Sequence, residues 1–337
     1  MTTATSPDGA SAPAPPLPAS AREYLDELAS LRRLSPHTRT AYERDLRLLA
    51  QQAAAAGMED LTRLTGADLR RFAGRLHAGG LAATSIARTL SAWRSYFRWL
   101  GQRGAVAANP ASGVRAPRRP ARLPKALAPD QAVQLAAFHT DDSFRAVRDH
   151  AIVELFYSSG LRLAELAALD YRFFDVAGSV PRSRGWIDLE AREVTVTGKG
   201  ERTRMVPLGA AAFTALKTWL AARAAWLAAR KVPLAERDAR ALFLSERGRR
   251  LAARTIETRV ALLARRAGLP MHVHPHMLRH SMASHVLQSS GDLRAVQELL
   301  GHASISATQI YTSLDWQHLA KVYDATHPRA RIKAEKK

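Results

Sequence analysis

VTVTGKGERTRMVPLG, residues 194–209, distinguishes this chain from a purely helical protein. Apolar and polar residues alternate over 193–197 and again over 204–208, and Gly198-Lys199-Gly200 lies near the turn between the two runs. A period of two is typical of β-strands, and glycine permits a tight turn. We therefore predict a short β-meander whose hairpin displays Lys199.

Helical patterns surround this meander on both sides. Pro129 is expected to open a helix, and an apolar run from Ala151 to Tyr157 begins another. Further helices are predicted over 210–230, 252–267, 276–288, 292–300, 306–314 and 316–323. The predicted fold class is therefore mainly α with a small β-sheet.

An all-helical region comes first in the chain. Ser35-Pro36 offers an N-cap and a first-turn proline, Asp68 falls in a third helix, and Gly101 is expected to end a fourth. The apolar residues of that fourth helix recur at steps of three and four, at Ile86, Leu90, Trp93, Phe97 and Leu100. One apolar face per helix predicts a small helical bundle.

Composition divides the 337 residues into five segments. Residues 1–18 are rich in Pro, Ala, Ser and Thr, contain no Lys or Arg, and are predicted to form a disordered tail. The helical domain covers 19–112. GVRAPRRPARLPK at 113–125 is predicted to be an extended basic linker, because its prolines block helix and sheet. A larger domain covers 126–331, and a basic tail covers 332–337.

Net charge and cysteine content narrow the classes of function. Lys and Arg number 50 against 30 Asp and Glu, so the formal charge of +20 favours a polyanionic partner. A basic surface without a specific partner is the alternative. The absence of cysteine excludes disulfides and thiolate metal sites. No run approaches the roughly 20 apolar residues of a membrane span and no signal peptide is evident, so we expect a cytoplasmic protein.

Basic and hydroxyl residues of the helical domain and linker are candidates for binding a DNA backbone. Several lie on the face of the fourth helix opposite its apolar one, where a merely solvated face is an equal alternative. The candidates are Thr38, Arg39, Arg88, Ser91, Arg94, Arg118 and Arg119.

An ordered set of polar residues in the larger domain indicates chemistry on a phosphodiester. Arginines can neutralise charge on phosphate oxygens, and a phenol can hold the phosphoryl group as a covalent ester. Singly, each residue has an ordinary explanation, such as a helical ion pair between Arg162 and Glu165. Their occurrence together, in this order, favours the catalytic interpretation. The set is Arg162, Lys199, His276, Arg279, His302 and Tyr311.

A zinc site is the competing interpretation of the histidines. His276 and His280 are four residues apart on a predicted helix, and His272 and His274 precede them. However, there is no HExxH glutamate and no cysteine, and the adjacent Arg279 would repel a cation. We therefore predict that the protein uses no metal and no other cofactor.

From about Ala19 to Arg331 the chain resembles the tyrosine recombinases. The resemblance rests on SPHTRTAYERDL, SSGLRLAELAALD, VTVTGKGERTRMVPLG, HPHMLRHSMASHVL, VQELLGHASISATQIYTSLD and WQHLAKVYDATHPRA. The last of these is most similar to the XerC branch of the family. The resemblance implies a two-domain, C-shaped clamp in which a helical core-binding domain and a mixed α/β catalytic domain close around duplex DNA.

The resemblance also implies a role for each catalytic candidate. Arg162 and Arg279 would hold the non-bridging oxygens of the scissile phosphate. Tyr311 would attack in line and form a 3′-phosphotyrosyl bond, and Lys199 would protonate the leaving 5′-oxygen to give the 5′-hydroxyl. The first histidine of the set would assist proton transfer and the second would hydrogen-bond the phosphate. Religation would need no ATP, because the ester conserves the phosphodiester energy, and no metal would be needed either.

Partners are likewise implied by the resemblance. Two such subunits and two of a XerD-like recombinase would assemble on a dif-type site in double-stranded DNA and resolve chromosome or plasmid dimers at cell division. An FtsK-type translocase would act on the partner, and no membrane would be involved. The helix at 316–323 would pack into a neighbouring protomer. A type IB topoisomerase and a mobile-element integrase are the alternatives, and the short segment 1–18 disfavours the second because it leaves no room for an arm-binding domain.

One segment departs from the family pattern. Between Asp170 and Glu193 the chain reads YRFFDVAGSVPRSRGWIDLEAR, which is longer than the compact turn of many relatives. We expect it to lengthen the loop before the Lys199 hairpin.

Overall fold

The computed structural model of the protein describes residues 16–31, 36–118, 126–175, 181–198, 203–230, 233–301, 322–323 and 325–330. Contacts divide the chain into two compact units, Met1–Arg122 and Leu123–Lys337. Several predicted features lie outside the described residues: most of the N-terminal tail, the linker from 119 to 125, the helix at 306–314, most of the helix at 316–323, and the tail 332–337. None of the described helices is long and apolar enough to cross a membrane.

Four α-helices and a short 3₁₀ turn, Leu61–Arg63, build the described part of the first unit. The helices are α1 (Ala19–Leu31), α2 (Pro36–Ala54), α3 (Gly66–Ala78) and α4 (Ala83–Gln102). A capping box between Thr65 and Asp68 starts α3. All five apolar positions predicted for α4 are buried, which confirms its inner face, although the helix ends at Gln102 rather than at Gly101.

The core of the first unit extends beyond the predicted limits of 19–112. Leu17, which falls in the predicted tail, and Val114, which falls in the predicted linker, are both buried in it. Arg94 donates to the carbonyls of Ala111 (3.1 Å) and Val114 (2.7 Å), so the chain after α4 is held against that helix. Apolar side chains next to a bundle are buried even where the local composition indicates a flexible segment.

The second unit combines helices with one antiparallel sheet. Its helices are α5 (Pro129–Ala137), α6 (Phe144–Ser159), α7 (Leu163–Ala168), α8 (Ala210–Ala228), α9 (Glu236–Ala239), α10 (Ala253–Arg266), α11 (Pro275–Ser290) and α12 (Leu293–Leu300). Pro129 opens α5 as predicted. Helix α6 begins well before Ala151, because the Ser143 hydroxyl accepts from the backbone N–H of Ala146 and caps the first turn.

The sheet has three strands in the order β1 (Gly185–Asp188), β2 (Glu193–Thr197), β3 (Thr203–Pro207). Strands β2 and β3 confirm the predicted meander, with Thr195 opposite Met205. The segment between Asp170 and Glu193 was expected to lengthen the loop before the hairpin, but part of it forms β1, which pairs along its whole length with β2 and places Trp186 opposite Thr195. The backbone N–H of Asp170 also donates to the Gly185 carbonyl at 2.9 Å.

Leu127, near the start of the second unit, has both its backbone groups bound by α11. Its N–H donates to the Ser281 hydroxyl at 2.8 Å, and its carbonyl accepts from His285 Nε2 at 3.0 Å. Burial lowers the pKa of His285, although the Leu127 hydrogen bond opposes this. The ring is therefore neutral, with Nδ1 left to accept from the Tyr157 hydroxyl at 3.0 Å.

The described C-terminal residues pack into the same unit. Tyr323 is fully buried, and its hydroxyl lies 2.6 Å from Ser158 Oγ. His327 Nε2 donates to the Tyr157 carbonyl at 3.0 Å, and the Ala330 carbonyl accepts from Ala210 at 2.9 Å. Tyr323, the last residue of the helix predicted to enter a neighbouring protomer, thus occupies the core of its own chain.

Candidate active site

Arg162 stands at the N-cap of α7, immediately before the helix begins. Gly160 ends α6 in the left-handed conformation (φ +55°), so the chain turns sharply between the two helices. The Glu165 carboxylate accepts from the backbone N–H and from the guanidinium of Arg162, each at 2.8 Å. Because the Arg162 side chain is 45% exposed, it can still donate to a ligand.

Glu165 is a buried carboxylate shared by two arginines. Besides Arg162, it binds Arg204 of β3 in a two-pronged ion pair with both contacts at 2.8 Å. Burial by itself raises the pKa of Glu165, but the hydrogen bonds and charges of Arg204 and Arg162 outweigh it and lower that pKa to about 2. This carboxylate is therefore ionised at neutral pH and orients Arg162.

Arg204 extends the network to the end of α12. Its Nε donates to the Leu299 carbonyl at 3.2 Å, and its side chain passes directly beneath Gly301. Sequence reasoning missed both Glu165, interpreted only as a helical partner of Arg162, and Arg204. Glu165 could have been recognised from its spacing of three residues from Arg162. No local spacing indicates Arg204, because its partner Glu165 lies 39 residues away in sequence.

Arg279 is buried in α11 and held by backbone carbonyls. Its guanidinium donates to the carbonyl of Gly160 and, at 2.6 Å, to that of Leu300. Burial and the nearby charges of Arg162 and Arg204 lower the pKa of Arg279 to about 10, so it remains protonated at neutral pH. Arg279 thus joins the ends of α6 and α12 as a fixed positive charge.

His276 lies in the first turn of α11, close to the same arginines. An open cleft of about 290 Å³ is lined by Arg162, His276 and Arg279, together with Leu161, Leu163, Glu257, His274 and Pro275. Burial, and then the charges of His280, His274, Arg279 and Arg162, lower the pKa of His276, so its neutral form is favoured. The cleft offers arginine donors and a neutral imidazole.

The remaining three members of the predicted set are Lys199, His302 and Tyr311, and they lie outside the described residues. In sequence, Lys199 falls between β2 and β3, whose facing ends Thr197 and Thr203 have hydroxyls 3.2 Å apart. His302 follows Gly301, which ends α12 in the left-handed conformation, directly after the predicted end of the helix at residue 300. The roles of these three residues stay predictions.

The histidines of the competing zinc interpretation form a row. The rings of His272 and His274 have centroids 6.5 Å apart, and those of His274 and His276 are stacked at 6.4 Å. Within the described ranges, no group of three or more His, Asp or Glu side chains is arranged to hold a metal ion.

The residues of the first unit that were predicted to contact DNA differ in whether their side chains already bind other groups of the protein. Arg39 pairs with Asp26 at 2.7 Å, and Arg88 pairs with the buried Asp45 at 2.9 Å. Arg94 is occupied by the carbonyls after α4. Thr38 is half-buried, Ser91 and Arg118 are exposed, and Arg119 lies outside the described residues. DNA contact by these residues stays a prediction.

Two family profiles match the chain, one in each unit. The phage integrase family matches residues 125–318, and the phage integrase N-terminal SAM-like domain matches residues 21–104. The chain belongs to the phage integrase family of tyrosine recombinases. It is therefore an enzyme that cleaves and rejoins DNA, which confirms the resemblance of its motifs.

Known relatives of this recombinase match it over nearly its full length. A protein of Ralstonia nicotianae, tyrosine recombinase XerC 1, is 56% identical over 97% of this chain and 98% of its own. Tyrosine recombinase XerC of Xanthomonas campestris pv. campestris is 46% identical over 92% of this chain and 88% of its own.

Solved structures of other recombinases share the fold. The Tn1549 transposon integrase in complex with transposon right-end DNA superposes with a TM-score of 0.65 at 19% identity, covering 90% of this chain and 98% of that one. XerH bound to a palindromic difH substrate gives a TM-score of 0.61 at 21% identity, covering 90% and 84%. At these identities the likeness concerns the fold alone.

Proposed function

We propose that this recombinase acts in the cytoplasm with a XerD-like partner on dif-type DNA sites, where it resolves chromosome and plasmid dimers at cell division under the influence of an FtsK-type translocase. The observation that carries the proposal is the shared cleft lined by Arg162, His276 and Arg279. Similarity to XerC recombinases, at 56% and 46% identity over nearly the full length of the chain, supports dimer resolution as the pathway.

The proposed reaction passes through a covalent phosphotyrosine. Tyr311 attacks the scissile phosphate and forms a 3′-phosphotyrosyl ester, and Lys199 protonates the departing 5′-oxygen to give a 5′-hydroxyl. A 5′-hydroxyl from another strand then reverses the step, so each ester broken is matched by one formed. His302 hydrogen-bonds the phosphate. No metal, ATP or other cofactor enters this scheme.

The electrostatics of the described residues support this assignment. Arg279 is fixed to the Gly160 and Leu300 carbonyls before substrate binds, so little reorganisation opposes its action. The Glu165 carboxylate holds Arg162 while leaving that side chain partly exposed. Two positioned guanidinium groups suit the charge that develops on the phosphate in the transition state.

A suicide substrate tests the proposal. A dif-like site with a nick beside the scissile phosphate loses its leaving strand and traps the covalent intermediate. We expect an SDS-stable adduct with the unaltered protein and with Tyr42→Phe, a matched control in α2, and none with Tyr311→Phe, which should still bind the site. Absence of an adduct with the unaltered protein, or its presence with Tyr311→Phe, contradicts the assignment.

The pathway is tested separately from the chemistry. Recombination of a plasmid with two dif-type sites should require the XerD-like partner. Efficient relaxation of a plasmid that lacks any such site would favour the topoisomerase alternative instead.

A further inference from the structure

The imidazoles of His276 and His280 meet on successive turns of α11. Their Nε2 atoms are 3.0 Å apart, and the rings meet edge to face with centroids 4.3 Å apart. A hydrogen bond at this distance requires one ring to donate and the other to accept, so one proton lies between the two nitrogens.

We propose that His280 is the proton partner of His276: a positioning residue that sets the protonation of the His276 ring and receives a proton through it during strand cleavage. The inference deepens the proposed function and rests on it. Nothing in the established family membership assigns a role to His280.

The groups around His276 favour its neutral form. Arg279 lies on the same helix, Arg162 stands at the start of α7, and His274 and His272 precede α11. Glu257 of α10 also lines the cleft and is the acidic group there. The charges of His280, His274, Arg279 and Arg162 add to burial in lowering the pKa of His276. A positive charge on the His276 ring is therefore opposed from several sides.

A neutral His276 has one N–H, and His280 decides which nitrogen carries it. When His280 donates to Nε2 of His276, the proton of His276 is on Nδ1, which can then donate to a phosphate oxygen. When His276 donates from Nε2, its Nδ1 has a free lone pair and can accept a proton. The contact thus selects between a donor and an acceptor form of the same ring.

In the proposed relay, protons move in two steps, from Tyr311 to His276 and from His276 to His280. The proton that leaves the Tyr311 hydroxyl as its oxygen bonds to phosphorus enters His276 at Nδ1, and the Nε2 proton of His276 passes to Nε2 of His280. His276 ends neutral, and the positive charge resides on His280. This arrangement keeps the new charge off the ring that lies beside Arg162 and Arg279 in the cleft.

His274 is a neighbour of a different kind. Its ring is stacked on that of His276 at an interplanar angle of 15°, unlike the edge-to-face contact of His280 at 66°. A stacked ring contributes charge but directs no ring N–H at its neighbour. The chain therefore offers matched variants: His280→Gln removes the proton partner but keeps a hydrogen-bonding side chain, and His272→Gln changes an exposed histidine of the same row.

The first measurement is an NMR titration of His276 in the unaltered full-length protein and in both variants. We expect the pKa of His276 to rise in His280→Gln, because a proton on His280 can no longer oppose protonation of His276, and to stay unchanged in His272→Gln. An unchanged pKa in His280→Gln, or an equal rise in both variants, overturns the pairing. This readout does not depend on any DNA reaction.

The second measurement is the single-turnover rate of adduct formation on the nicked site. General acid–base groups typically contribute a hundredfold or more, so we expect His280→Gln to slow cleavage by about tenfold or more while DNA affinity stays within about twofold. A shifted pKa with an unchanged rate overturns the relay. If the unaltered protein forms no adduct, the proposed function fails and the relay with it, whereas the NMR titration still decides whether the two rings pair.

Discussion

Arg204 and Glu165 form a two-pronged ion pair, both contacts at 2.8 Å, and both side chains are only 5% exposed. Through this pair, strand β3 is tied to the residue that holds Arg162. The hairpin predicted to carry Lys199 and the proposed phosphate site thus share a buried anchor.

Replacement of Glu165 by Gln should destabilise the second unit and impair cleavage. Gln keeps the shape but leaves Arg204 buried without its counter-charge, and breaking such a pair typically costs about 3–5 kcal/mol in free energy of unfolding. Urea denaturation measures this loss. Glu246→Gln is the control, because Glu246 and its partner Arg145 are both about half exposed (54% and 48%), and it should change stability little. Equal effects of the two variants would contradict the buried role.

The same pair predicts a dependence of stability on acid. The pKa of Glu165 falls from the usual 4.5 to about 2 on folding. The folded state therefore gains stability from this group above about pH 4.5, and loses it as pH falls toward 2, because the unfolded chain takes up the proton first. Urea midpoints at pH 5 and pH 3 should differ less in Glu165→Gln than in the unaltered protein. Identical differences would show that other carboxylates dominate.

Gly301→Ala should reduce stability through its backbone conformation and should, in addition, impair catalysis. Gly301 has φ +63°, and a Cβ there would lie 2.8 Å from Cδ of Arg204. Gly291 caps α11 at φ +68° with nothing within 4 Å of its Cβ position, so Gly291→Ala is a matched control. Both variants should lose about 1–2 kcal/mol of stability through the left-handed backbone. Only Gly301→Ala should also slow adduct formation, because it displaces Arg204, whose partner Glu165 holds Arg162.

The packing of the buried His327 ring near the C-terminus should become less stable in mild acid. Burial is the main cause that lowers the pKa of His327 to about 4, so the folded state favours the neutral ring. Stability from this group is present above the usual pKa of about 6.5 and is lost as pH falls toward 4. Thermal unfolding at pH 5 and pH 7 should therefore differ more in the unaltered protein than in His327→Gln. The reverse order would contradict a neutral, buried imidazole.

Replacement of two arginines of α4 should have different effects, one on stability and the other on DNA binding. Arg94 holds the Ala111 and Val114 carbonyls, so Arg94→Ala should lower the melting temperature. Arg98 is exposed on the same helix, so Arg98→Ala should leave the melting temperature unchanged. If this face contacts phosphate, Arg98→Ala should reduce the salt slope of DNA affinity by about 1. An unchanged slope would exclude Arg98 from the interface.

The sequence predicted the elements whose periodicity is long or regular. Helix α4 shows the expected buried positions over about four turns, and the alternation around Thr195 and Met205 forms paired strands. Strand β1 was missed because GWID has only four residues, too few for an alternation to be recognised. Its existence depends on pairing with β2, which is a tertiary contact.

The grouping of Arg162, His276 and Arg279 was predictable from the sequence, but the network that supports them was not. Arg162, His276 and Arg279 line one cleft, as expected for residues that act together. Their support was not predictable, because the Arg204 to Glu165 pair and the Arg279 to Leu300 contact join positions far apart in sequence or in different elements. His280 was considered only as a metal ligand, since its spacing from His276 does not reveal whether two rings share a metal or a proton.

The two hydrogen bonds to Leu127 fasten the start of the second unit to α11. Ser281 binds the backbone N–H of Leu127 and His285 binds its carbonyl. Leu127 is therefore held at two points of the helix, four residues apart. The same helix carries His276 and Arg279. A displacement of Leu127 would therefore act directly on the helix that bears these two proposed catalytic residues.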